Sequence, residues 1–173
     1  MSLIISKEIE LSPLRLLHAK PLLNLVNSSR KNLEQYLSWV DSVQDLESAK
    51  TYILDRINSK LAGAEWHVIM FHGAMVGIFS IKSIDSKKRN AEIGYWLSDH
   101  VHGNGIINQV ISNLNSYFRE DRDIRSLEFR CLEQNGASLR VVHKAGAKYV
   151  AEISDFIEIN DCKYSLNIYR VEL

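Results

Sequence analysis

Proline is nearly absent from this 173-residue chain: Pro13 and Pro21 are the only two. Beyond residue 21 no ring removes a backbone donor or forces a break. Glycine is scarce too, with eight residues, so the places where glycines cluster carry information. The two cysteines, Cys131 and Cys162, have no CxxC spacing and no histidine at zinc-finger distance. That excludes a disulfide-stapled miniprotein and argues against a metal centre. No apolar run approaches the ~18 residues of a membrane span. Residues 1–10 lack the basic start and apolar core of a secretory signal, so the chain is expected to be cytoplasmic with reduced thiols. Charge of neither sign is in excess, since 21 Lys+Arg offset 21 Asp+Glu. Direct binding to nucleic acid or an anionic membrane needs a basic surplus and is not expected.

What is present is globular: 46% of residues are hydrophobic and 24% charged. The length suits one domain spanning residues 1–173, large enough to bury about 70% of its unfolded surface. Residues 3–17 predict a short strand leading into a turn at Ser12-Pro13, followed by a helix from about His18 to Ser29. Leu46, Ala49, Ile53, Ile57 and Leu61 recur at helical spacing, and Gly63 can end that helix. Trp66–Phe71 and Met75–Ile84 predict two strands around a hairpin turn at His72-Gly73. Ala91–Leu97 is a third strand, with Ala91, Ile93, Tyr95 and Leu97 on one face and Glu92, Gly94 and Trp96 on the other. A strongly amphipathic helix follows, marked by Ile107, Val110, Ile111, Leu114 and Phe118. Ser126–Leu132 predicts a strand, Asn135–Ala145 a short helix, and Lys148–Ile159 with Lys163–Val171 a final antiparallel pair turning at Asn160-Asp161. This is an α+β order with a mixed sheet, not the repeated βαβ of a doubly wound nucleotide fold.

Gly103 and Gly105 fall where the third strand gives way to its helix. The first N–H groups of a helix have no internal partners, and the helix dipole adds about half a positive charge there. Glycines allow close approach of the backbone, so the loop suits a phosphate or pyrophosphate, although a plain glycine turn capping a helix has the same composition. It is not a Walker loop, because no G-K-[ST] follows. Nor is it the dinucleotide G-x-G-x-x-G, because position 108 is Asn.

Taken together, Ala91-Glu-Ile-Gly-Tyr-Trp-Leu97, His100-x-x-Gly103-x-Gly105, the amphipathic helix behind them and Asn135-Gly-Ala-Ser138 resemble one known pattern. It is the acetyl-CoA motif of the GNAT superfamily of N-acetyltransferases, in the RimJ/RimL branch that acetylates N-terminal amines of ribosomal proteins. The order of elements matches that family along nearly the whole chain. The resemblance implies a GNAT fold: a mixed, mostly antiparallel sheet flanked by helices. Two departures are evident: His100 stands where the family has Gln or Arg, and Gly146-Ala147 replaces Gly-Phe.

By this resemblance an amine attacks the thioester of acetyl-CoA directly, without a metal. Backbone N–H groups of His102, Gly103, Asn104, Gly105, Ile106 and Ile107 would hold the pyrophosphate. Backbone groups near Trp96 and Leu97, exposed by a splay between parallel strands, would hold the pantetheine arm and an oxyanion. Many relatives protonate the leaving thiolate with a Tyr, but that position here is Val142. Ser138 would serve instead, by donating its O–H directly or by ordering a water, with Asn135 holding the pantetheine or capping its helix. Glu92 is the first candidate base, and Asp155 and Glu158 on the strand after the Asn135–Ala145 helix are alternatives. An α-amine has a pKa of about 7.7–8.0, so the base can be weak and act through water. Residues 32–49 hold Glu34, Asp41, Asp45 and Glu47 without a Lys or Arg. They could attract a cationic amine or form a solvated face, and Tyr36 and Trp39 could line the acceptor groove. Relatives often pair near the active site, so a homo-oligomer is expected. Two other readings remain: a small amine acceptor (polyamine, aminoglycoside or amino acid), and a non-catalytic acyl-CoA-binding module.

Overall fold

The structure is a computed structural model that describes residues 2–159 and 161–173. Its strands are β1 (Leu3–Ile4), β2 (Ile9–Pro13), β3 (Glu65–Phe71), β4 (Ala74–Asp85), β5 (Asn90–Leu97), β6 (Ser126–Leu132), β7 (Lys148–Ile159) and β8 (Cys162–Glu172). The α-helices are α1 (Ala19–Leu33), α2 (Leu46–Ile57), α3 (Ile106–Asn113) and α4 (Gly136–Lys144). All eight strands join one sheet in the order β1-β2-β3-β4-β5-β6-β8-β7. Among the described residues the β5–β6 pair alone is parallel.

Local chemistry sets these elements. The β3–β4 hairpin turns at His72 and Gly73, both at positive φ (49° and 78°), the combination a tight two-residue hairpin requires. The N-terminus of α2 is closed by a capping box: Asp45 Oδ1 accepts from Ser48 N–H at 2.8 Å, and Ser48 Oγ accepts from Asp45 N–H at 2.9 Å. The alternation expected in β5 separates two cores. On one face Leu22, Val26, Tyr52 and Ile53 from α1 and α2 pack over Val68, Ile78 and Trp96. On the other, Ile106, Val110 and Ile111 of α3 pack over Phe79, Ile81, Ile93 and Phe129. Each such side chain contributes about 1.5–3 kcal/mol through burial.

Several boundaries differ from the sequence reading. The first segment is two strands, and Pro13 closes β2 opposite His67 rather than making a turn. Helix α1 runs on to Leu33, because Arg30 reaches forward to the Val40 and Val43 carbonyls at 2.8 and 2.6 Å and ties its last turns to the next loop. Helix α2 stops at Ile57, since Leu61 is 60% exposed and offers no burial to drive another turn. Helix α3 ends at Asn113, yet Phe118 remains fully buried because a π-helical turn over Tyr117–Asp121 returns it to the core. Of the expected Asn160-Asp161 turn, Asn160 lies outside the described residues. No helix among the described residues is long and apolar enough to cross a membrane.

Candidate active site

The parallel pairing of β5 with β6 stops at Ile93 opposite Phe129. Beyond that point β5 stays with β4, up to Gly77 opposite Leu97, while β6 follows β8 to Leu132 opposite Leu166. Gly77 makes the first attachment possible: a Cβ there would lie 2.1 Å from the Trp96 carbonyl oxygen. The strands therefore diverge, leaving one edge of Gly94–Leu97 without a strand partner. Two cavities meet in the wedge and share Tyr36, Leu37, Tyr95, Trp96, Asn135 and Ser138.

The first cavity, about 450 Å³, runs along the loop before α3 and is lined by His102, Gly103, Gly105, Ile106 and Ile107. Gly103 and Gly105 have φ of 86° and 66°, left-handed geometry that non-glycine residues adopt only with strain. The first amide of α3 with a backbone acceptor is Gln109, bonded to Gly105 O at 3.0 Å. The amides from Gly103 to Asn108 donate to no protein group among the described residues. Free amides of this kind at a helix N-terminus are suited to cradling an anion. Arg140 and Lys144, one turn apart on α4, bring two cations to the same cavity. The cradle, the cations and the open edge of β5 fit a long ligand with phosphates at one end and amide groups along its arm.

Three loop residues behave less simply than expected. The His102 N–H is already used by Asp99 O at 3.2 Å, while its ring lies 3.2 Å from Leu97 O. Asn104 does not line the cavity, and its side chain donates to Val101 O at 3.0 Å. His100 turns back to Ser98 Oγ at 2.5 Å, so its side chain holds the loop from within.

The second cavity, about 280 Å³, lies on the α1–α2 side of the sheet, and among the described residues Glu92 is the one carboxylate that lines it. Its mostly buried carboxylate is held by Lys82 at 2.5 Å and Arg130 at 3.6 Å. Behind it, burial pushes the Glu128 carboxyl up, but hydrogen bonds from Arg170 and Arg130 outweigh that and hold its pKa below the ordinary 4.5. Asp155 and Glu158 line neither cavity; their neighbours Phe156 and Ile157 do, and Asp155 pairs with Lys163 at 3.2 Å. None of Glu34, Asp41, Asp45 and Glu47 lines either cavity, although Tyr36 and Trp39 do. Asp45 instead caps α2, and Glu47 pairs with Lys50 at 2.7 Å.

Ser138 sits in the first turn of α4 where the cavities meet. Asn135 Oδ1 accepts from its N–H at 3.1 Å. No protein group among the described residues engages its hydroxyl. Val142 is fully buried in the α3-side core and cannot reach this junction. Burial pushes the Tyr95 hydroxyl up, keeping it protonated 3.5 Å from Ser138 O. Burial also raises the Cys131 thiol to about 12, so it is no thiolate at neutral pH. Among the described residues no group of His, Cys, Asp or Glu is arranged to hold a metal ion.

Tyr95, Arg140, Lys144, Lys82, Arg130 and Arg56 were not singled out from the sequence. Arg140 and Lys144 carried a signal, the four-residue spacing that puts both on one helix face. The others come together only through the sheet and α2.

A family model described as an acetyltransferase (GNAT) domain matches residues 8–148. The ribosomal-protein-serine acetyltransferase of Escherichia coli (strain K12) is 26% identical over 166 residues, covering 95% of this chain and 93% of that protein. Among solved structures, a RimL ribosomal L7/L12 α-N-protein acetyltransferase in complex with coenzyme A superposes with a TM-score of 0.90 at 24% identity, covering 100% of this chain and 98% of that one. The microcin C7 self-immunity acetyltransferase MccE, in complex with acetyl-CoA and AMP, gives 0.85 at 25% identity over 98% and 94%.

Proposed function

The chain belongs to the GNAT acetyltransferase family, and from that premise we propose that it moves an acetyl group from acetyl-CoA to the N-terminal α-amine of a protein. The relative from Escherichia coli is named for ribosomal-protein serine acetylation, which favours a ribosomal protein as the acceptor. The observation that carries the reading is the meeting of two cavities at Tyr95, Trp96, Asn135 and Ser138, with an anion cradle at the far end of one and a carboxylate in the other.

Acetyl-CoA, when bound, supplies an activated acetyl group and a thiolate leaving group. The amides from Gly103 to Ile107, with Arg140 and Lys144, would hold its phosphates. The free edge of β5 near Trp96 and Leu97 would bond its pantetheine arm and orient the thioester. Glu92 would take a proton from the incoming amine, directly or through a water. An α-amine needs only a weak base, so pairing of Glu92 with Lys82 and Arg130 does not disqualify it. The Ser138 hydroxyl, free of protein partners among the described residues, would give a proton to the departing sulfur, directly or through an ordered water, and recover one from solvent. Asn135 would keep Ser138 in place by capping α4.

Calorimetry with CoA, followed by steady-state turnover on N-terminal peptides, polyamines, aminoglycosides and free amino acids, tests the reading. We expect CoA binding and the highest kcat/KM on peptides. No CoA binding overturns the whole reading; higher kcat/KM on a small amine overturns the choice of acceptor.

A further inference from the structure

The second cavity is cationic. Arg56, Lys82 and Arg130 line it against the single carboxylate of Glu92. Lys82 and Arg130 are committed to Glu92, and Arg130 also to Glu128 at 2.9 Å. Arg56, in the last turn of α2, is different. Among the described residues no carboxylate lies within 4.0 Å of it. Its guanidinium carbon lies 3.3 Å from the Tyr52 ring centroid, 5.2 Å from that of Trp66 and 5.6 Å from that of Trp39. One Nη donates to Tyr52 O at 2.9 Å.

The wall around Arg56 carries several ring and guanidinium N–H donors, with the Tyr52 hydroxyl, which can donate or accept, among them. Arg56 Nε, Trp66 Nε1, Trp96 Nε1 and the Tyr52 hydroxyl are all buried without a hydrogen-bond partner among the described residues. Aromatic faces compensate the charge of a guanidinium from above and below its plane. Its N–H groups lie in that plane and need an acceptor there, ideally a carboxylate met side-on. Nε is closed off from the cavity, but the second Nη is not, and it has no hydrogen-bond partner among the described residues, so it is the donor that a ligand carboxylate can meet. The same surplus of cations repels a second ammonium group. The acceptor expected from the acidic segment 32–49, a basic tail, is therefore disfavoured inside the cavity, which those carboxylates do not reach.

We propose that the acceptor is an N-terminal segment carrying an acidic side chain within its first residues, with that carboxylate held by Arg56 while the α-amine faces Glu92 and Ser138. The proposal rests on the peptide acceptor of the proposed function. The cavity, about 280 Å³, is at the small end for ligand sites. It takes the leading residues of a chain, not a protein surface, so selection operates within a few residues of the amine.

The test uses peptides sharing one N-terminal residue and carrying Asp, Asn or Lys at the second or third position. With the wild-type enzyme, the best Asp peptide should exceed its Asn counterpart in kcat/KM by roughly 10- to 100-fold, and Lys peptides should fall below both. In Arg56→Met the Asp/Asn ratio should collapse to about 1. Arg56→Lys, which keeps the charge, should retain part of it. The ratio is read within each variant, so a general loss of activity does not imitate the result. A wild-type ratio near 1 overturns the proposal even if Arg56→Met does not fold, and so does a ratio that survives in Arg56→Met. If peptides are acetylated without regard to charge, this inference falls and the proposed function stands. If free aspartate or glutamate outpaces every peptide, both fall together.

Discussion

Asn135 and Ser138 lie three residues apart, and removing each should do a different kind of damage. Asn135 caps α4 by accepting the Ser138 N–H at 3.1 Å. Asn135→Ala leaves that amide without its partner and should cost about 0.5–2 kcal/mol. For a chain of this size each kcal/mol lowers Tm by about 2–4 °C, so a fall of roughly 1–8 °C is expected. Ser138→Ala keeps both the Asn135 acceptor and the amide it bonds. The lost hydroxyl holds no protein group among the described residues, and alanine is the better helix former. Its Tm should stay within about 2 °C of the parent. Its kcat, by contrast, should fall by roughly 10²- to 10⁴-fold, the range for loss of a positioned proton donor. CoA affinity should barely change, because the cradle lies at the other end of the cavity. Thermal unfolding, calorimetry with CoA and continuous detection of released thiol read the three quantities separately. Full turnover in Ser138→Ala would remove Ser138 from the chemistry. A Tm loss equal to that of Asn135→Ala would show that its hydroxyl is structural.

Gly105→Trp puts a large side chain at the mouth of the cradle, where an added Cβ meets nothing within 4 Å and the φ of 66° adds roughly 1–2 kcal/mol of strain. The fold should survive, while CoA affinity falls by more than ~10-fold, about 1.4 kcal/mol; unchanged affinity by calorimetry would refute the placement of the phosphates. The Glu128 network predicts acid sensitivity. Its folded pKa lies below 4.5, so its stabilisation is complete above that ordinary value and is lost as pH falls through the lower folded value. Tm measured from pH 7 to pH 3 should drop in that acid range, and Glu128→Gln should be less stable at pH 7 with a shallower drop. Equal slopes for the two proteins would exclude Glu128 as a source of the acid sensitivity.

The features legible in the sequence are those in which neighbouring residues decide the outcome. The β5 alternation, the His72-Gly73 turn, the glycine pair ahead of α3 and the Asn135 cap each depend on a few adjacent side chains. The π-helical turn was hidden because Phe118 keeps its helical place in the stripe while the backbone path to it changes. The charge of the second cavity was hidden for a stronger reason. The segment next to it in sequence, residues 32–49, is uniformly acidic, yet none of its four carboxylates faces the cavity. The cations that do face it come from α2, β4 and β6, at positions 56, 82 and 130. A segment's composition constrains the field around it only if its side chains point the same way. Here a helix cap and a surface pair engage Asp45 and Glu47 locally, while sheet register brings distant basic groups together. The sign of the site is thus opposite to that of the segment beside it, and substrate choice should follow the convergent cations, not the local composition.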